Sequence, residues 1–458
     1  MSRRKWCSRP SGARRALLPL VLAPLALFAG SSETPPARGA GADAALRDAL
    51  RSNHVARVVV SLRAPRIPVT SLSRHVTEIR RTQDGVLAGL DPRDFRPTHR
   101  WAAISALAGE VTESGLARLL ADPDVDQVDL DVSGTAGVAE SVPMIRADDV
   151  HDLGFTGRGV LVAVLDTGID TDHPDLKNNL ADQQCFCTAA SGAGCCPNGA
   201  AQQSGAGAAE DDHGHGTNVA GIIAGQGRVA HKGVAPDAKI VAIKVLDRTG
   251  AFSSTAQVLS GFDYLLTARP DVKVVNMSLG TSVLFPGTCD GATSFTTAFA
   301  QAINSLRARG TTVFASSLNN GSSSQIGLPA CIANAIAVGA VYDANVGTIS
   351  FGCTDGTTKA DQVCCFSNSS AAVDLLAPGA AITAAGRGGG VSTFLGTSQA
   401  SPHAAGAAAL LLEAKPSLTP DQIQAALRNT GVPIADPKSG LAVPRIDVRA
   451  ALDAARAF

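Results

Sequence analysis

Large aromatic side chains are scarce in this chain: aromatics make up 4% of its 458 residues, with 2 Trp and 2 Tyr. A core built on ring packing is therefore excluded. Ala, Gly and Val must fill the interior instead, as they do where helices lie close on a parallel sheet. Charge is scarce too, at 17% charged residues and a net charge of −1, which removes any global attraction for nucleic acid. Beyond residue 30 no segment reaches the roughly 18 uninterrupted apolar residues that a spanning helix needs. There are no paired C-x-x-C knuckles and no H-x-x-x-H or H-E-x-x-H pattern, so the usual signatures of a zinc site are missing. What is there, at 45% hydrophobic residues, is a globular chain too long for one typical domain.

The N-terminus has a distinct texture. Arg3, Arg4, Lys5, Arg9, Arg14 and Arg15 precede the apolar stretch ALLPLVLAPLALFAG at 16–30, which has the charge order and length of a secretory signal peptide. Residues 1–30 are expected to direct export, leaving a secreted protein with no membrane attachment. No Cys follows the apolar run, so a lipid-anchored cysteine is not supported. Cysteine usage fits an oxidising compartment. Of 10 cysteines, Cys7 lies in the leader and the rest fall between Cys185 and Cys365, clustered as CFCTAASGAGCC and CTDGTTKADQVCC around Cys289 and Cys331. The clustered ones are expected to tie their own loops, and Cys289 is expected to bond to Cys331. The set is odd, so one thiol is left over.

Residues 31–54 read as a linker, and residues 55–132 as a compact block in the order strand, helix, strand, helix, strand, with a Thr cap before TESGLARLLADP. A second small-residue linker, 133–141, follows and is suited to proteolytic cutting. From there to 458 strands and helices alternate. Strands such as GVLVAVLD, KIVAIKVLD and VKVVNMSLG are apolar on both faces, which predicts an α/β fold with a mostly parallel central sheet covered by helices on both sides. Sites in such sheets gather at the carboxyl ends of strands, where Asp166, Ser278 and Asn319 fall.

Near the end, TFLGTSQASPHAAGAAALLLEA sets a polar cluster around Ser398 against an alanine-rich run that reads as a buried helix. Ser398 is either an N-cap or an oxygen placed at the positive end of that helix. Three segments bear on the choice. VLVAVLDTGIDTDHPDL around Asp166, DDHGHGTNVAGIIAG around His215 and GTSQASPHAAGAAALL around Ser398 resemble, in the same order, the three active-site motifs of subtilisin-like serine peptidases. The resemblance covers roughly residues 140–450. The block at 55–132 is similar to the inhibitory, folding-assisting propeptide that precedes such domains.

The resemblance implies a serine endopeptidase in which His215 is the base for Ser398 and Asp166 orients the imidazole. It implies that Asn319 donates to the oxyanion, and that Ser278, Leu279 and Gly280 pair with an extended peptide. It also implies polypeptide substrates, the chain's own propeptide as intramolecular inhibitor, a monomer, and no required cofactor or metal. Several residues depart from the family pattern. Leu318 stands where Gly is usual and would narrow or reshape the pocket for the residue before the scissile bond. Gln399 and Ser401 replace Met and Ala. GQGRVAHKGVAP lacks the family's Asn-rich calcium loop, so structural calcium is unsupported although Asp175 is present. Other readings are a metal site at Asp212, His213 and His215, a pepsin-like use of LDTGI, an α/β-hydrolase esterase, and an inactive secreted scaffold. The second Asp-Thr-Gly that a pepsin would need is absent, and so is a suitable His beyond Ser398 for an esterase, where His403 is too near in sequence.

Overall fold

The computed structural model describes residues 41–42, 44–65, 71–131, 134–135 and 141–458. The leader reading therefore lies outside the described residues. The first part of the described chain builds β1 (Gly41–Ala42), α1 (Ala44–Asn53), β2 (Val55–Leu62), α2 (Leu72–Ala88), β3 (Phe95–Arg100), β4 (Ala106–Thr112), α3 (Glu113–Ala121) and β5 (Val125–Leu130). Their sheet runs β1-β5-β2-β4-β3. Thr112 caps α3 through its side chain, which accepts from the Gly115 N–H, as the sequence indicates. The expected linker over 31–54 is corrected at its C-terminal end. There α1 buries Leu46 and Leu50 against the sheet, a use of spaced leucines that the flanking Ala and Gly obscure.

Alternation on β2 divides its side chains between two cores. Val58 and Val60 point into the block's own core with Leu116 and Leu119, whereas Val59 joins Trp101, Ile104 and Ala108 in a second core shared with the rest of the chain. A two-residue strand, β6 (Gly134–Thr135), follows.

The larger part contains α4 (Ala147–His151), β7 (Leu161–Asp166), β8 (Leu180–Phe186), β9 (Gln202–Ser204), α5 (His215–Ala224), β10 (Lys239–Lys244), β11 (Ala251–Phe252) and α6 (Thr255–Ala268). It continues with β12 (Val274–Met277), β13 (Gly280–Thr281), β14 (Leu284–Phe285), α7 (Ser294–Ala308), β15 (Thr312–Ser316), β16 (Ile326–Gly327), β17 (Ile336–Val341), β18 (Ile349–Ser350) and β19 (Thr354–Asp355). It ends with β20 (Leu375–Pro378), β21 (Ala380–Gly386), β22 (Gly390–Leu395), α8 (Thr397–Ala414), α9 (Pro420–Thr430), β23 (Val432–Ala435), β24 (Ala442–Arg445) and α10 (Val448–Ala455). The central sheet has the order β23-β24-β20-β17-β15-β12-β7-β10-β8-β9. Only its edges are antiparallel, where β9 pairs with β8 and β23 with β24.

Both faces of this sheet are covered, as the apolar strands require. Val162 and Val164 of β7 face a core shared with α5, α8, α9 and α10, while Ala163 and Leu165 face α6 and α7. The alanines of α8 let that helix lie in the middle of the first core, where Ala404 through Leu411, Gly406 apart, belong to the buried cluster. Both α6 and α7 start at capping boxes, Ser254 with Gln257 and Thr293 with Thr296.

Among the described residues four disulfides close loops: Cys185–Cys196, Cys187–Cys195, Cys289–Cys331 and Cys353–Cys365. The clustered cysteines tie their own loops, and the long-range pair is the expected one. Cys364 is the unpaired thiol among the described residues, fully buried, and burial pushes its ionisation well above the ordinary thiol range. Iodoacetamide should therefore leave Cys364 unmodified in the native protein and alkylate it once the chain is unfolded without reductant. Peptide mapping that found Cys364 modified in native protein would contradict this placement.

Candidate active site

Three strand or helix ends converge at the carboxyl edge of the central sheet. Asp166 ends β7, His215 opens α5 and Ser398 is the second residue of α8. The His215 Nδ1 lies 2.5 Å from Asp166 Oδ1, with both side chains buried. Thr167 donates its backbone N–H to the same oxygen at 2.7 Å, while Asp166 Oδ2 is buried without a hydrogen-bond partner. A carboxylate left short of donors in a low-dielectric site is electrostatically receptive to a positive charge on its imidazole neighbour.

The turn that delivers His215 depends on close backbone approach. Gly214 has φ 107°, and a Cβ on Gly216 would collide with the carbonyl oxygen of Gly168. Asp211 fixes the turn. Its Oδ1 accepts from Thr167 Oγ1 at 2.9 Å and from the N–H groups of His213 and Gly214 at 3.0 and 2.9 Å, and its Oδ2 accepts from Thr217 N and Oγ1 at 3.0 and 2.5 Å. Sequence alone does not single out Asp211. The available signal was an Asp just ahead of a helix start, with Thr two residues into that helix. The alternative metal trio is drawn to different partners, with Asp212 paired to the buried Lys244 at 2.6 Å and His215 held by Asp166.

Ser398 is not a cap: α8 has Gly396 at its N-cap without a side-chain bond, and Ser398 Oγ donates to the Ser278 carbonyl at 3.1 Å. Pro402, inside the helix, has no N–H to give to the Ser398 carbonyl four residues earlier. Ser278 Oγ supplies the missing donor at 2.5 Å. Asn319, three residues past β15, accepts at Oδ1 from Thr397 N and Oγ1 at 2.8 and 3.0 Å. The backbone donor fixes the amide orientation and leaves Nδ2 as the donor side. Gln399 and Ser401 are buried: Ser401 Oγ donates to Asn276 Oδ1 at 2.7 Å and Gln399 Nε2 donates to Asn218 Oδ1 at 3.1 Å, while Gln399 Oε1 is buried without a hydrogen-bond partner.

Beside these groups lies a strand-shaped opening. β6 runs between β11 and β13, antiparallel to each, with Thr135 opposite Gly280 and Ala251 and with Gly134 opposite Thr281 and Phe252. Ser278, Leu279 and Gly280 thus lead from Ser398 into an edge that already pairs with an extended segment. Leu318, before Asn319, adopts φ 75°.

Residues 157–447 match the subtilase family. The chain belongs to that family. It is 32% identical over 366 residues to M-protease of Shouchella clausii (strain KSM-K16), covering 79% of this chain and 83% of the relative. It is 34% identical to subtilisin E of Bacillus subtilis (strain 168), over 71% of this chain and 75% of that protein. Similarity to an alkaline protease of Alkalihalobacillus alcalophilus is also 34%, over 72% of this chain and 75% of the relative. As a subtilase the protein is a serine endopeptidase, and subtilases need no organic cofactor.

At Asp175 this subtilase satisfies a buried carboxylate with backbone donors: the N–H groups of Arg228 and Ala230 lie 2.5 and 2.8 Å from its oxygens, and that of Val229 lies 3.2 Å from both. No group of three or more His, Cys, Asp or Glu side chains among the described residues is arranged to hold a metal ion.

His403, on α8, ties the start of the larger part to this helix. Its Nδ1 donates to the Gln399 carbonyl at 2.7 Å, so its Nε2 accepts the Ser141 N–H at 2.8 Å. Burial holds the imidazole neutral, lowering its pKa from 6.5 to about 4. Below pH 6.5 the unfolded chain takes up this proton before the folded one does. Stability should therefore be complete above that pH and fall by on the order of 3 kcal/mol as pH drops to 4. Urea midpoints of the protein inactivated with a covalent serine-peptidase inhibitor, measured with and without His403→Asn, check this. An unchanged slope between pH 6.5 and pH 4 in the variant would remove His403 as the cause.

Proposed function

We propose that Asp166, His215 and Ser398 are the catalytic triad of a secreted, self-processed endopeptidase. The observation that carries the reading is the 2.5 Å contact between buried His215 and Asp166 at the sheet edge that also holds Ser398. With Nδ1 bonded to Asp166, the other imidazole nitrogen, Nε2, is the base. Ser398 Oγ attacks the substrate carbonyl carbon as its proton passes to Nε2. The oxyanion that forms accepts hydrogen bonds from Asn319 Nδ2 and from the Ser398 N–H at the positive end of α8. His215 then returns the proton to the leaving amine, the peptide C–N bond breaks, and an acyl-Ser398 ester remains. Water, deprotonated by the same imidazole, hydrolyses that ester and restores the serine.

Asn319 fits the donor role because Thr397 occupies its carbonyl oxygen, which leaves Nδ2 for the oxyanion. Ser278, Leu279 and Gly280 take the substrate backbone by strand addition, continuing the edge on which β6 pairs with Gly280 and Thr281. Export rests on the leader-like residues 1–30 and on the disulfides. No helix among the described residues is long and apolar enough to cross a membrane.

The block ending at Asp131 acts in this reading as the propeptide and inhibitor. Its last strand and the residue that follows it set two carboxylates on the N-termini of neighbouring helices. Asp131 accepts from Thr255 N at 2.6 Å, Thr255 Oγ1 at 2.7 Å and Ser254 Oγ at the start of α6, and Asp129 accepts from Ser294 N at the start of α7. Anions at helix N-termini are favourable, by about 1 kcal/mol or somewhat more when partly buried. Trp101 adds a hydrogen bond to Ser260 Oγ at 3.1 Å, and the Ala103 N–H adds one to Asp263 at 2.7 Å. The connection beyond β5 then enters the cleft as β6, where an intramolecular cut has the advantage of high effective concentration.

Replacing Ser398 by Ala should abolish peptide hydrolysis and fluorophosphonate labelling with folding intact. The exported variant should accumulate uncut, whereas the wild type yields a fragment beginning between about Ser133 and Ser141. Trimming of the purified variant at the same place would sink self-processing. Separately, the 41–131 block added in trans should inhibit the mature enzyme, and Asp131→Ala should weaken that inhibition about tenfold, read as the inhibition constant. Equal inhibition by both forms would remove Asp131 from the interface energetics.

A further inference from the structure

We infer that the side chain of Leu318 fills the pocket for the substrate residue preceding the scissile bond, and that this enzyme cleaves after small residues, Gly and Ala, and not after large apolar or aromatic ones. The inference rests on the endopeptidase reading above, with Ser398 as nucleophile.

The pocket's position follows from strand register. A peptide pairing antiparallel with β13 advances from Gly280 toward Ser278, and the Ser278 carbonyl accepts from Ser398 Oγ at 3.1 Å. The residue whose carbonyl carbon meets Ser398 therefore lies over Ser278 and Leu279. Its side chain must enter the space between this segment and the chain leaving β15 at Leu318 and Asn319. Two residues without side chains border that space, Gly280 on β13 and Gly327 on β16. Between them stands Leu318. A Cβ on Gly280 would lie 2.7 Å from Leu318 Cδ2 and 2.9 Å from Cδ1, and one on Gly327 would collide with Cδ1. The leucine is thus wedged from wall to wall, and the glycines are what admit it.

The wedge is also fixed in direction. Leu318 has φ 75°, a left-handed conformation that costs a side-chain-bearing residue about 1–2 kcal/mol. Two hydrogen bonds hold it there: the Leu318 N–H donates to Thr397 Oγ1 at 3.0 Å, and the Leu318 carbonyl accepts from Asn368 N at 2.8 Å. Asn368 in turn accepts at Oδ1 from the N–H groups of Asn320 and Ser322, both at 3.0 Å. With its backbone clamped on both sides, the Cα–Cβ bond of the leucine points in a fixed direction, so the side chain leaves this space only by changing rotamer and not by a shift of the loop that presents Asn319. Closing a pocket in this way excludes large side chains by overlap and lets a hydrogen or a methyl group pass.

The chain's own linker is independent support. β6 runs toward Ser278, and the residues next in sequence after Thr135 are Ala136, Gly137, Val138 and Ala139. Whichever of them supplies the cut carbonyl, its side chain is no larger than valine.

The test uses the mature enzyme and peptides that differ only in the residue before the scissile bond, namely Gly, Ala, Leu and Phe. The wild type should turn over the Ala peptide with kcat/KM about 100-fold above that of the Phe peptide. Leu318→Gly removes the wedge and relieves the left-handed strain, and should raise kcat/KM for Phe at least about tenfold relative to Ala. Leu318→Ala, a smaller step, should move the ratio the same way. A wild type that cleaves the Phe peptide as well as the Ala peptide overturns the inference by itself, whether or not either variant folds. An unchanged ratio in a folded variant overturns it too. Fluorophosphonate titration separates the two levels: labelling of Ser398 with a preference for Phe defeats only the pocket assignment, whereas absence of both labelling and hydrolysis defeats the endopeptidase mechanism with it.

Discussion

A buried imidazole held 2.5 Å from a buried carboxylate imposes demands on everything around it. The two groups come from residues 49 apart, on a strand and on a helix that cross at the sheet edge. Bringing them that close requires the backbones of Gly168 and Gly216 to touch, which in turn requires a turn without side chains at its tightest point. Asp211 then locks this turn through acceptor bonds to four residues, Thr167, His213, Gly214 and Thr217. The pairing is thus the product of a rigid local scaffold, and it could not be held by two side chains reaching across open space.

The serine is placed by a different device. Pro402 removes the helical hydrogen bond that would have used the Ser398 carbonyl, and Ser278 restores it from the neighbouring strand while its own carbonyl receives Ser398 Oγ. Helix and strand are thereby stitched in both directions at one residue pair. His403 repeats the pattern one turn on, joining Gln399 to Ser141. A buried alanine-rich helix has little side-chain shape to register it against its neighbours, so these polar links set its position along its axis.

The upstream block and the larger part share one core across α6 and α7, with Val59, Ile104 and Trp101 on one side and Phe262 and Phe299 among those on the other. This shared core includes Trp101, Phe252, Phe262, Phe295 and Phe299. Phe262 and Phe299 themselves meet edge to face at 5.5 Å between ring centres. Around this apolar contact, carboxylates meet helix N-termini, a pairing that gives orientation as well as attraction.

Much of this was legible in the residues. Apolar runs flanked by turn residues gave the central strands, because a strand buried on both faces has no polar side to alternate with. The capping Thr of α3, the self-contained cysteine loops and the Cys289–Cys331 bridge were also local or nearly local signals. The helix over Ala44–Asn53 and the strand over Phe95–Arg100 were not, since each is defined by what it packs on or pairs with. The motifs around Asp166, His215 and Ser398 named the candidate residues and their order, and marked Leu318 as a departure. They could not say where the Leu318 side chain goes, that Asp211 holds the histidine turn, or that Asn368 clamps the loop after Asn319. Those depend on contacts between segments tens to hundreds of residues apart. A sequence fixes which groups are available and which backbone shapes are cheap, whereas the distance between two groups is decided only when the whole sheet has brought its edges together.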